Sequence, residues 1–412
     1  MANYEIVDGV GIIPEGATLI EEDAFRNEYE LVSIKIPSSV THIGAGAFWG
    51  CEKLVNIEIP AGVTCIGDST FLGCKSLKSI DLPSSIISIG RSAFIDCKSL
   101  KNIKIPSSVT SIGERAFSDC RSLKTIGDPS SVTDVGDCAF EFCKSLQSIK
   151  LSSVNNIGKQ AFNECKALKS VEISSEVTNI GRKAFCNCES LESLITSSVV
   201  EDSEGGTSCD SNSQKTAENV SSGLIIGESA FSNCKSLKTI ELPSSVTNLG
   251  EWAFSYCESL ESIELPSSIV SIGREAFKSC RSLKSIVIPS SVTSIGNCAF
   301  ENCNFDSIKV DKDNASYFSN DGILFNKDCS ELIKSINMTN YVIPSSVKRI
   351  GEGAFNECTL LESIEIPSSV TKIGMFAFRL CNSLKTIAIP KGEMDRFKEM
   401  LPEKFHQLLV EK

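Results

Sequence analysis

Histidine is nearly missing from these 412 residues: His42 and His406 stand against 19 cysteines. With so few imidazoles, no Ser/His/Asp or Cys/His set assembles at a sensible spacing, and zinc sites of the Cys–His kind lack partners. No uninterrupted apolar run approaches the roughly 18 residues of a membrane-spanning helix. Basic residues are outnumbered 40 to 52, for a net charge of −12. Phosphate backbones are bound by clustered Lys and Arg, so nucleic acid is not the expected partner. Residues 1–16 carry acidic side chains and no basic stretch leading into an apolar one, so they do not read as a secretory signal. Glycines fall neither as G-x-G-x-x-G nor as a phosphate-binding loop. No two carboxylates are marked out as a pair for glycoside hydrolysis. Neither catalysis nor a cofactor or metal is expected. What the chain does not lack is apolar residues, 41% of the total, which excludes a disordered chain.

Those apolar residues recur with a fixed period. The Phe of an Ala-Phe pair (Thr-Phe once) falls at 14 places from Phe25 to Phe378, including Phe48, Phe71, Phe94, Phe117, Phe140, Phe254 and Phe277. The interval is 23 residues, once 22, with two longer steps of 46 and 55. Gly precedes the Phe by four positions in 13 of the 14 copies, and Cys follows it by three in 13, among them Cys74, Cys97, Cys120, Cys257 and Cys280. A sequence repeating in this way is one solenoid rather than two or three domains.

The unit from Cys97 to Phe117 shows what each position does. Leu100, Ile103 and Ile105 follow L-x-x-I-x-I, whose second half alternates as a short strand should. Pro106 ends that strand and Ser107-Ser108 make a polar turn. Val109 to Ile112 reads as a second short extended segment. Gly113 is expected to supply a backbone angle that other residues resist, and Ala116-Phe117 to begin a helical or 3₁₀ turn packed inward. About 17 such turns, at roughly 4.7–4.9 Å each, make a rod on the order of 80 Å long.

This unit, S-L-K-S-I-x-I-P-S-S-V-T-S-I-G-x-x-A-F-x-x-C, resembles the BspA-like leucine-rich repeat proteins over nearly the whole chain. The fold expected is an α/β repeat solenoid: a right-handed leucine-rich repeat rod over residues 1–390, with short parallel strands on a concave sheet. A second short extended segment and a helical or 3₁₀ turn complete each repeat. Residues 391–412 read as a C-terminal capping helix, with Met394, Phe397, Met400 and Leu401 at helical spacing and a break at Pro402.

Two stretches depart from the repeat. Residues 201–223 are acidic and almost free of apolar side chains, which suits an exposed loop, and the 46-residue spacing favours a degenerated repeat. In the irregular segment 305–341, Asn320-Asp321-Gly322 is a hairpin-turn signal between two apolar runs. Asp311, Asp313 and Asn314 there fail the spacing of a calcium loop. The cysteines recurring once per turn read as small buried apolar residues rather than disulfides or ligands. Cys209, in the acidic stretch, is the thiol expected to be exposed.

What remains is surface. On the concave sheet one outward column is uniformly hydroxyl or amide, from Asn56 and Ser79 to Thr386, as if bonding up and down the stack. The next varies: Glu58, Asp81, Lys104, Lys150, Glu172, Glu241, Glu264, Val287, Lys309 and Glu365. Variation beside a fixed column is where recognition of a partner would be encoded. The resemblance implies a monomeric protein-binding rod, a surface or secreted adhesion protein that meets host matrix or cell-surface proteins. Many free thiols point instead to a scaffold for a protein of its own cell, in a reducing compartment such as the cytoplasm. A carbohydrate-binding module is a weaker third reading, because Trp49, Trp252 and Tyr256 lie beside the Ala-Phe turns and not on the sheet.

Overall fold

Alternation of apolar and polar residues over three or four positions makes strands too short to stand alone, so each must be covered by the next repeat. Asn102–Ile103 pairs in parallel with Ser79–Ile80 of the preceding unit. Ser111–Ile112 lies between Ser88–Ile89 and Asp134–Val135, again in parallel. Both series keep one register from unit to unit, so residues of a sequence column become neighbours along the rod. The structure, a computed structural model, describes residues 4–197 and 223–412 and forms a parallel-strand solenoid of about 16 turns with very little helix.

The Ala-Phe side chains fill its centre. Phenylalanine rings from Phe25 to Phe300 stack nearly parallel with centroids 5.1–5.8 Å apart, and Phe48, Phe71, Phe94, Phe117, Phe140, Phe254 and Phe277 are wholly buried. The cysteines line up beside them. Cys74, Cys97, Cys120, Cys257 and Cys280 are buried, and each S–H donates to the carbonyl of a Phe in the turn before, at 3.1–3.2 Å. All 18 described cysteines are free.

Three local expectations are corrected. The Ala-Phe segments form hydrogen-bonded turns instead of 3₁₀ helix. In every copy the residues two before and two after the Phe, such as Arg115 (φ 56°) and Asp119 (φ 61°), sit in the left-handed region and stop a helix from propagating. The repeated glycine is not the left-handed residue. Gly113 is kept because a Cβ there would meet the backbone of Gly90 at 2.6 Å. Its column is set by the close approach of adjacent turns. Lastly, Phe185 stacks on Phe231 at 5.2 Å, the spacing of consecutive turns, and Asn179 is the register partner of Ile225. The two turns are neighbours in the stack, which removes one turn from the expected 17. Residues 201–222, Cys209 and the loop and degenerated-repeat readings placed on them lie outside the described residues.

The second departure interrupts the stack. Phe300 meets Phe305 edge-on at 5.7 Å and 75°, and stacking resumes only with Phe355 and Phe378. Between them Tyr317–Asn320 and Ile323–Asn326 form an antiparallel hairpin around Asp321 (φ 49°) and Gly322 (φ 79°). A further strand, Glu331–Lys334, pairs antiparallel with the hairpin and parallel with Arg349–Ile350, returning the chain to the repeat. Asn314 is 1% exposed and spends its side chain on the backbone. Its Oδ1 accepts from the N–H of Ser316 and Tyr317, and its Nδ2 donates to the carbonyls of Pro289 and Val292.

Both ends are closed locally. An N-terminal hairpin, Glu5–Val7 with Val10–Ile12, turns at Asp8-Gly9 and places Tyr4 on Phe25 at 4.9 Å. At the other end α1 (Met394–Met400) buries Phe397, Pro402 precedes a 3₁₀ helix over Glu403–Leu408, and Leu409–Glu411 adds a last parallel strand to Thr386–Ile389.

Candidate functional site

The first strand of each repeat turns one column inward and its neighbours outward. Ile57, Ile80 and Ile149 are buried, while Asn56, Glu58, Ser79, Asp81, Ser148 and Lys150 are exposed. Glu58, Asp81, Lys104, Lys150, Glu241, Glu264 and Lys309 are exposed, and Glu172 and Glu365 are partly so. Backbone register makes neighbours of column members within each sheet: Glu58 beside Asp81, and Lys150, Glu172 and Ile195 in succession. Lys150 pairs with Glu172 at 3.5 Å and Glu365 with Lys412 at 2.9 Å. Exposed pairs of this kind contribute at most about 1 kcal/mol, so these side chains are available to a ligand at small cost.

The uniform hydroxyl column does not form the bonded ladder expected of it. Among its described side chains only Ser363, donating to Asn340 Oδ1 at 2.7 Å, and Thr125, accepting from the Gly127 N–H, are engaged. The bonds between turns fall elsewhere, where Ser268 and Ser369 of the polar turns donate to the carbonyls of Val246 and Val347. The geometric reason is reach. A hydroxyl at the polar turn lies over the carbonyl of the turn below, whereas strand carbonyls are consumed by the parallel ladder. Apart from Ser363 and Thr125, the described first-strand hydroxyls therefore face outward unpaired.

Three members of the varying column escape a reading of the well-kept repeats. Ile12, Ile195 and Val342 are 47%, 48% and 64% exposed, and register aligns Ile12 with Lys35 and Val342 with Glu365. Each lies in a divergent copy, where applying the L-x-x-I-x-I alternation is the signal that finds it. With Val287, 56% exposed, they intersperse apolar side chains among charges of both signs.

The buried thiols of the repeating Cys column offer no contrasting reactive site. Burial pushes Cys51, Cys303 and Cys381 up to about 12, so they carry no thiolate near neutrality. Among the described residues no three His, Cys, Asp or Glu side chains gather to hold a metal ion. No described helix is long and apolar enough to cross a membrane.

Comparison with known proteins agrees with this architecture. The family model of the BspA type leucine-rich repeat region, which spans six copies, matches residues 11–124, 88–214, 207–323 and 329–407. A leucine-rich repeat protein from Bacteroides ovatus is similar at 26% identity, over 99% of this chain and 97% of its own, with a TM-score of 0.52. A leucine-rich cell surface protein from Faecalibacterium prausnitzii is 26% identical over 84% of this chain and 90% of its own, with a TM-score of 0.40. Among curated proteins nothing matches. Matched along nearly its full length, and built of the stacked 23-residue turns described above, the chain belongs to the BspA-type leucine-rich repeat family.

Proposed function

We propose that the chain is a non-enzymatic protein-binding rod that engages its partner through the outward first-strand column. The observation carrying this reading is the outward series from Glu58 to Glu365, in register within each of the parallel sheets that share it, charged and apolar by turns, beside hydroxyls that make almost no bonds of their own. Such a face gains affinity by adding many small contacts along its length and by multivalency. Resemblance to BspA-like proteins favours a surface or secreted adhesion role toward a host matrix or cell-surface protein. The 18 free thiols favour a second reading, a scaffold acting inside its own cell.

Photo-crosslinking decides between a functional and an idle face. A photoreactive residue replaces Glu264, or, as the control, exposed Glu251 beside the Ala-Phe turn, in the full chain expressed in its source cells. The expected result is one dominant adduct from position 264 and none from 251. Adducts of equal pattern at both positions, or none at either, overturn the assignment. The adduct's resistance to proteolysis of intact cells then separates an outside partner from an inside one.

A further inference from the structure

Adjacent Ala-Phe turns are held by a fixed set of three backbone bonds. In the Phe140 turn, the N–H groups of Cys138, Phe140 and Phe142 donate to the carbonyls of Lys159, Ala161 and Asn163 in the next turn, at 2.7–2.9 Å. The same triad closes 12 of the 14 turns. It is open at Phe376, Phe378 and Leu380, where the stack ends, and at one internal place. Cys298, Phe300 and Asn302 have no acceptor for their N–H groups among the described residues.

At that place a turn is missing. The chain between Phe300 and Phe355 builds the hairpin instead, and leaves a cavity of about 280 Å³ between the Phe300 turn and Gly351, Glu352 and Gly353, lined also by Tyr317 of the hairpin and by Ile333 and Lys334 of the strand after it. The far wall is served by the chain itself: Ser335 N–H donates to the Ala354 carbonyl at 2.8 Å, buried Lys334 donates to the Asn356 carbonyl at 3.4 Å, and the Cys298 thiol reaches across to the Glu352 carbonyl at 3.9 Å. The near wall is not. The orphans extend to side chains. Of the five buried side-chain polar atoms without a hydrogen bond among the described residues, two are Asn302 Oδ1 and Asn356 Oδ1, beside these walls, whereas Arg349 Nε is paired with Glu331 at 3.2 Å. Asn356 is 1% exposed and bridges to the Phe300 turn through Glu301, 3.0 Å away. Buried polar groups left unpaired are rare in folded proteins.

We propose that this gap is a second binding site, which takes a short peptide segment of a partner protein as the missing turn. The chemistry selects a peptide. Three N–H groups at alternate residues require three carbonyls at alternate residues, and the orphaned Asn oxygens require donors, which a peptide backbone supplies together and a simple anion does not. Three carboxylates, Glu301, Glu331 and Glu352, line the gap against the two cations Lys334 and Arg349, so its charge does not draw an anion. This site lies on the Ala-Phe edge, apart from the first-strand face, so its failure leaves the proposed function untouched.

Amide hydrogen exchange on the full chain, resolved by residue, tests it. The probe is the capped heptapeptide acetyl-Gly-Glu-Gly-Ala-Phe-Asn-Glu-amide, a copy of residues 351–357, with inorganic phosphate as the second arm. In the free protein the amides of Cys298, Phe300 and Asn302 are expected to exchange faster than those of Cys138, Phe140 and Phe142. Saturating peptide is expected to slow each about tenfold, the effect of one added hydrogen bond. Gly353→Trp plugs the gap, in a column where Trp252 already adopts the same backbone angle, and is expected to abolish the slowing. Gly46→Trp, in the same column elsewhere, is expected to leave it intact. The proposal is overturned if the three amides are already as slow as the Phe140 set, if the peptide leaves them unchanged, or if phosphate protects them equally.

Discussion

The S–H of Cys51 donates to the carbonyl of Phe25, 26 residues earlier and 3.0 Å away. That offset, one repeat plus three residues, sets the cysteine of one turn beneath the phenylalanine of the turn before. Burial holds the Cys51 thiol protonated, pushed up to about 12, and the bond gives its hydrogen a partner.

Thiol titration with a disulfide reagent at pH 8 should therefore divide sharply. The column thiols are expected to stay silent in the native protein and to react together when denaturant unfolds it. Partly exposed Cys65 and Cys329 are the described thiols expected to react first. Prompt native reaction of Cys74 or Cys280, read by peptide mapping, would contradict the burial.

Phe254 stacks between Phe231 and Phe277 at 5.2 and 5.5 Å. Phe254→Ala should cost about 3–5 kcal/mol, as large cavities do, whereas Glu264→Ala on the exposed column should change stability by less than about 0.5 kcal/mol. Denaturant unfolding of the two variants checks this. Equal losses would mean that the inside and outside of the repeat are misassigned.

The glycine column gives a test of cause. Gly113→Ala places a methyl 2.6 Å from the Gly90 carbonyl carbon and should destabilise by about 1–3 kcal/mol through overpacking. Arg115→Gly should be neutral or stabilising by up to about 1 kcal/mol, because Arg115 (φ 56°) bears the left-handed strain that glycine escapes. The opposite ranking in thermal melts would restore the conformational explanation for Gly113.

Glu275 and Lys278 pair at 2.6 Å, and Lys278 also reaches Glu301 at 3.0 Å. Burial opposes the charge of both, yet Lys278 and Trp252 hold Glu275 below its ordinary 4.5, and Glu275 and Glu301 hold Lys278 above its ordinary 10.5. A depressed carboxyl adds stability above 4.5 that disappears as the pH falls through its folded value. A raised amine adds stability below 10.5 that disappears as the pH rises through its own. Glu275→Gln should melt below the parent at pH 7, and the two should converge in acid as Glu275 takes up its proton. A gap independent of pH would show that the pair does not act through charge.

The repeat, the buried Phe and Cys columns and the outward strand positions were legible in the sequence because stacking places residues 23 apart in contact, so period translates directly into neighbourhood. The hairpin at Asp321-Gly322 was legible because its turn chemistry is local. Other features depend on contacts between turns that no single repeat encodes. Gly113 is glycine because of the backbone of Gly90, and the step from Phe185 to Phe231 is one turn because the two rings touch. The unpaired amides of Cys298, Phe300 and Asn302 arise because the chain that should cover them folds away into a hairpin. Periodicity determines which face a side chain takes within a turn. Only the packed stack decides how closely turns approach and where one is missing, because both are relations between backbones far apart in the chain.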